Sequence, residues 1–89
     1  MALLDLLGRR WTLRVIWELR DERPLRFREL QARCGGASSS VVADRLRELG
    51  EAGLVAHAGD GYVLTAQGRD LLGRLAPLDE WAATWRPRG

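Results

Sequence analysis

Apolar positions recur along this chain at helical spacing in three places and shorten to strand-like runs in one. The cleanest stripe is Val42, Leu46 and Leu49, continued by Ser38 before it and Gly53 after it. At about 100° per residue these positions share one side of a helix. The Ser38 hydroxyl suits a first-turn cap, and Gly53 suits the left-handed stop of a helix, so the pattern predicts a helix over about residues 39–52. Upstream, Trp11, Val15 and Leu19 lie four residues apart, and Leu13, Ile16 and Trp17 widen the apolar surface. This predicts a helix over about residues 11–20 that is covered on more than one side. Before it, Leu3, Leu4, Leu6 and Leu7 make the first seven residues a short segment too apolar to lie free. Downstream, apolar runs over 54–58 and 62–65 flank Gly59-Asp60-Gly61, the pattern of a hairpin. Thr65 then opens a helix over about 66–85, in which Leu71, Leu75, Leu78, Ala82 and Trp85 form a seam of the kind that pairs with another helix. Pro77 lies inside that run and predicts a kink.

Between the first full helix and the capped one, Asp21-Glu22-Arg23-Pro24 reads as a turn and Leu25-Arg26-Phe27 as an extended piece with Phe27 pointing inward. A second helix over about 28–33 follows, with Leu30 and Cys34 on its apolar side, and Gly35-Gly36 turns the chain toward Ser38. Helix, glycine turn, helix and hairpin in this order predict a mainly α fold with a small β-hairpin (α+β): a winged helix-turn-helix. It has a three-helix core, a short wing at about 54–65 and terminal helices for dimerisation, in one domain over 1–89. Opposite the apolar stripe of the recognition helix lie Ser40, Ala43, Asp44, Arg47 and Glu51, with Ser39 on a flank. Small hydroxyl and methyl groups near a helix N-terminus let the backbone approach a major groove and meet base edges. A solvated face of an ordinary surface helix is the alternative. Arg45, on the core side, suits an internal ion pair or a reach to phosphate better than base reading.

Eighty-nine residues leave a modest core, which makes a partner chain plausible from size alone. With 46% hydrophobic and 29% charged residues the composition is that of an ordered globular chain. The net charge is only +2, but it is uneven: residues 1–35 carry eight arginines against five acids, residues 36–60 two against four. The N-terminal third is therefore the electropositive part, and arginine's planar fork suits phosphate oxygens. The one cysteine, Cys34, cannot form an internal disulfide and reads as a small core hydrophobe, because Leu30 precedes it by one turn and no neighbouring His or Lys favours a reactive thiolate. His57 stands alone and reads as an exposed strand residue rather than a metal ligand. With one His, one Cys and no motif joining nucleophile to base, nothing in the sequence supports catalysis, a metal site or a cofactor, so an enzyme is the weakest reading and the chain is not expected to be one. No apolar run approaches a membrane span or a secretory signal, and the chain reads as cytoplasmic and nucleoid-associated.

Leu4-Asp-Leu-Leu-Gly-Arg-Arg-Trp-Thr-Leu13, Arg26-Phe-Arg-Glu-Leu30, Gly36-Ala-Ser38, Arg45-Leu-Arg-Glu-Leu49, Gly53-Leu-Val55 and Tyr62-Val-Leu-Thr-Ala-Gln-Gly68 together resemble the HxlR-type winged-helix transcriptional regulators of bacteria. The resemblance spans nearly the whole chain in order. It implies a homodimer whose terminal helices pair, through Leu3, Leu4, Leu7, Leu71, Leu75, Leu78, Trp81, Ala82 and Trp85, and whose recognition helices enter successive major grooves of a pseudo-palindromic operator in double-stranded DNA, about 34 Å apart. Carried over, Ser38, Ser39, Ser40, Ala43 and Arg47 face the groove, and Arg26 and Arg28 lie near the backbone; Asp44 joins the DNA-binding set by its place on the same helix face. Three departures stand out. The cysteine that many such regulators carry before the first helix is replaced by Met1-Ala-Leu-Leu, the wing is short and free of arginine, and Asp44 sits on the reading face. Asp44, the acid excess of residues 36–60 and the short wing suit a second reading, a winged-helix protein-interaction module that has lost specific DNA binding.

Overall fold

A computed structural model describes residues 2–87; Met1, the first residue of the apolar N-terminal segment, falls outside them. The chain runs α1 (Ala2–Leu7), α2 (Thr12–Glu18), α3 (Phe27–Cys34), α4 (Ser39–Glu51), β1 (Val55–Ala58), β2 (Gly61–Leu64) and α5 (Ala66–Ala82). The apolar N-terminal segment is thus a short helix, half-burying Leu6 and Leu7 against the core. Helix α2 is the hub and packs against α1, α3, α4 and α5. It is shorter than the spacing predicts at both ends. Trp11 stands just before it in the left-handed region, φ 77, and Leu19 closes it. A bulky residue seldom adopts that conformation. Here it turns the chain sharply out of α1 while the indole stays half-buried against the core, with the Arg10 guanidinium 5.6 Å from its ring centre.

The core gathers Val15, Ile16 and Leu19 of the first full turn-helix region, Leu25, Leu30 and Cys34, the Val42, Leu46 and Leu49 stripe, and Leu54, Val55 and Leu64 from the hairpin. Helix α3 begins one residue earlier than the pattern suggests, because Arg26 takes the extended N-cap conformation and Phe27 is already helical. The extended piece reduces to Leu25, which exchanges two backbone hydrogen bonds with Tyr62, donating at 3.1 Å and accepting at 2.8 Å. It acts as a one-residue third strand beside the hairpin.

The hairpin is antiparallel, with Val55 opposite Leu64, His57 opposite Tyr62 and Ala58 opposite Gly61. Its loop is therefore only Gly59-Asp60; Gly61 belongs to the ladder. Gly53, at φ 76, ends α4 as expected, since no side chain fits the left-handed turn there without strain. The Thr65 hydroxyl donates to the Gly53 carbonyl at 2.6 Å and accepts from the Gly68 N–H at 3.1 Å, so one side chain closes α4 and opens α5.

Helix α5 continues through Pro77 and stops at Ala82, short of the predicted end near Trp85. There the Thr84 and Trp85 N–H groups donate to the Trp81 and Ala82 carbonyls, three residues back, and the Thr84 hydroxyl also donates to the Trp81 carbonyl at 2.9 Å, so the last turn tightens and the α-helix ends. Trp85 lies beyond the helix and stacks on Trp81, ring centres 6.1 Å apart.

Candidate nucleic-acid interface

Helices α3 and α4 and the four residues between them form the helix-turn-helix. Leu30 and Cys34 face inward, Ala37 is buried in the turn, and the Gln31 side chain donates to the Ala37 carbonyl at 3.4 Å. The Ser38 hydroxyl accepts the Val41 N–H at 3.2 Å and lies 3.2 Å from the Ser40 hydroxyl. This cap orients the first turn of α4. Ser38, Ser39, Ser40, Ala43, Asp44 and Arg47 are all exposed, so the residues read as the groove-facing set share one accessible surface. Arg45 turns the other way and pairs with Glu48 at 3.1 Å, and Glu48 also meets Arg9 at 3.4 Å, fastening α4 to the α1–α2 turn. Of Arg45's two readings, the internal ion pair is the one formed.

Arg26 and Arg28 stand at the start of α3, both exposed. Arg28 has no ion-pair partner among the described residues, whereas Arg26 pairs with Asp60 at the tip of the hairpin, 2.9 Å away. Arg47 is held less tightly, 3.7 Å from Asp44 and 3.4 Å from Glu51 on its own helix. The N-terminal third is less electropositive than its arginine count implies. Arg14 pairs with Glu18, Arg23 with Glu29, and Arg33 with Glu29 and Asp21. The hydrogen-bonded Arg23 guanidinium holds the Glu29 carboxyl below the usual carboxylate range. Acids of the same third thus pair with four of its eight arginines, Arg20 included, while Arg9 and Arg26 find theirs farther along the chain. The pairing of Arg26 with Asp60 joins residues 34 positions apart, and no local pattern announces it. Beside α4, a groove of ≈ 350 Å³ runs between Ala43, Arg47 and Gly50 and the strand residues Ala56, His57 and Tyr62. His57 is exposed and packs its ring on Tyr62, centres 4.4 Å apart.

Cys34 is buried, 2% exposed. Burial pushes its thiol pKa up, the Glu18 carboxylate adds to the rise and Arg14 opposes it. The side chain behaves as the core hydrophobe its position predicts. No group of residues among those described could hold a metal ion, and no described helix is long and apolar enough to cross a membrane.

The residues assigned to a dimer contact divide in two. Leu7 and Leu71 pack, half-buried, against their own core, and Leu75 is half-buried at the edge of it. Leu3, Leu4, Leu78, Trp81, Ala82 and Trp85 are exposed. Leu13 and Trp17 of α2, expected under cover, are 45% and 38% exposed and join Leu72, Leu75 and Leu78 in an apolar groove of ≈ 260 Å³ between α2 and α5. The helical spacing revealed that α2 needs cover on a second side, but not that its own chain leaves that side open.

A three-helix core carrying a helix-turn-helix, followed by a hairpin packed beside the second of those helices, is a winged helix-turn-helix, a DNA-binding fold of transcription regulators. The chain belongs to the HxlR-like helix-turn-helix family, whose model matches residues 6–89. It is 32% identical over 85 residues to an uncharacterised HTH-type transcriptional regulator of Halalkalibacterium halodurans, covering 88% of this chain and 75% of that relative. Among solved structures it resembles the quinone-bound YodB of Bacillus subtilis, with a TM-score of 0.85 and 31% identity over 94% of each chain. It also resembles a possible HxlR family transcriptional factor of Thermoplasma volcanium, with a TM-score of 0.84 and 28% identity over 91% of this chain and 78% of that one. The protein is a DNA-binding transcriptional regulator of the HxlR type, and the family is not one of enzymes.

Proposed function

We propose that this regulator binds a pseudo-palindromic operator in double-stranded DNA as a homodimer. Ser38, Ser39, Ser40, Ala43, Asp44 and Arg47 read the major groove, and Arg26 and Arg28 hold the phosphate backbone. The observation that carries the reading is the exposed first half of α4. Its side chains are small, it is oriented by the Ser38 cap, and the unpaired Arg28 stands on the neighbouring helix. Small side chains let a helix sit deep in a groove, and an unpaired arginine supplies the phosphate anchor that fixes its register. Asp44 accepts a hydrogen bond from a cytosine amino group. The dimer reading is supported by the exposed large apolar side chains of α1, α2 and α5, Leu3, Leu4, Leu13, Trp17, Leu78 and Trp81, of which Leu13, Trp17 and Leu78 line one groove.

The ion pairs of Arg26 and Arg47 with acids of the same chain favour a second reading, a protein-interaction module without an operator. Fluorescence anisotropy of the protein against a pool of genomic fragments, at two salt concentrations, separates them. Selection of one fragment, with affinity falling steeply as salt rises, is the expected result. Binding that is absent, or equal for all fragments, supports the interaction module and removes the operator.

A further inference from the structure

Asp60 is the residue of the hairpin that meets the proposed DNA side. The loop Gly59-Asp60 is too short to reach far past the body of the domain and carries no cation to place in a minor groove. Its one charged side chain points back across the surface and meets Arg26 at 2.9 Å, while both side chains stay more than 70% exposed, at 75% for Arg26 and 78% for Asp60. So open a pair contributes little to folding. Its position is more informative: Arg26 is the N-cap residue of α3 and has been placed among the phosphate anchors. A carboxylate beside such an arginine occupies the position a DNA phosphate oxygen would take. It has the same charge and similar hydrogen-bonding geometry.

We propose that Asp60 is a tethered counterion for Arg26, an internal stand-in for phosphate that DNA must displace, and that it limits binding to non-operator DNA. This inference rests on the reading of Arg26 as a backbone contact. When Arg26 moves to a phosphate, the duplex releases condensed cations. The freed Asp60 carboxylate is then a bare anion beside the duplex and retains a cation in their place. The exchange therefore gives almost none of the salt-dependent gain that an unpaired arginine gives, about 0.9 in the slope of log K against log salt per contact. Non-specific binding depends almost wholly on that gain. The cost falls on every duplex whose phosphate Arg26 meets; non-operator DNA, with no base-edge contacts to add, is left with little binding, whereas an operator retains those contacts.

The test is a double-mutant cycle on a random-sequence DNA duplex, measured by anisotropy across a salt series. It uses the wild type, Asp60→Asn, Arg26→Ala and the combined variant, with circular dichroism to verify the fold of each. Asp60→Asn is expected to tighten binding by roughly two- to five-fold, the range of an exposed ion pair, and to steepen the salt slope by about 0.9. With Arg26 already replaced by alanine, no pair has to be broken, so Asp60→Asn should give a clearly smaller gain in both quantities, the remainder coming from the loss of a bare anion beside the duplex. An equal gain in both backgrounds would mean that Asp60 only repels the duplex as a nearby charge, and the counterion role falls. No gain in either, with wild-type binding that weakens normally in salt, overturns this inference and leaves DNA binding standing. If no variant binds duplex at any salt concentration, the DNA reading and this inference fail together.

Discussion

Gly68 passes so close to the Leu54 carbonyl that a Cβ at this position would collide with it, and the Leu64 side chain closes a second side at 3.2 Å. Backbone on one flank cannot step aside as a flexible side chain would. Gly68→Ala is therefore expected to lower the unfolding free energy by about 3 kcal/mol, the upper end of overpacking costs, in a urea titration; a change within experimental error would show that the α5 start is free to shift. Cys34 shows the opposite use of a buried position. Its raised pKa and closed surroundings leave little thiolate at neutral pH, so a thiol reagent should label it no faster than the protein unfolds. Stoichiometric labelling of the folded protein within seconds would show that solvent reaches this thiol without unfolding.

At the scale of the element, α4 is the part most dependent on its ends. Ser38 supplies its only side-chain cap, and Ser38→Ala should cost about 1 kcal/mol of stability in thermal unfolding. Binding should fall with it, because the uncapped first turn is the one proposed to enter the groove. A stable variant with unchanged affinity would place recognition elsewhere on the helix. These ends were legible in the sequence because a cap, a 3.6-residue repeat and a glycine stop are local signals. The same holds for the hairpin and for Thr65. What stayed hidden depends on distant partners or on backbone strain. The left-handed Trp11 that shortens α2 has no residue-type signal, since glycine would be the usual choice there. The early end of α5 lies in the three-residue hydrogen bonds of Thr84 and Trp85, which a heptad pattern pointing onward to Trp85 does not announce. The neutralised arginines could not be read from counts, because Arg26 finds its acid on another element and Arg9 finds Glu48.

For the whole molecule, the division of faces matters most. The described residues span 44 × 27 × 26 Å, with the helix-turn-helix surface on one side and the apolar strip of α1, α2 and α5 on another. Leu78 is 56% exposed, so Leu78→Asp leaves the monomer's own packing nearly untouched while placing a charge in the strip. Sedimentation should show this variant at half the wild-type mass with a native circular dichroism spectrum, and its affinity for a two-half-site operator should drop by at least tenfold as the second half-site contact is lost. Unchanged sedimentation would refute the dimer assignment. The exposed polar face of α4 was recognisable from local sequence, whereas the exposure of Leu13 and Trp17 in the groove between α2 and α5 required the helices to be seen packed.

The two backbone hydrogen bonds between Leu25 and Tyr62 carry a consequence for how the wing breathes. A two-stranded ribbon on its own frays readily. Here its root is tied to the segment leading into α3, next to a fully buried leucine. The Tyr62 amide should therefore exchange its hydrogen for deuterium only when the core opens as a unit, while the amides of Gly59 and Asp60 exchange within seconds. The domain would then meet its target with a wing rigid at the hinge and free only over its last two residues.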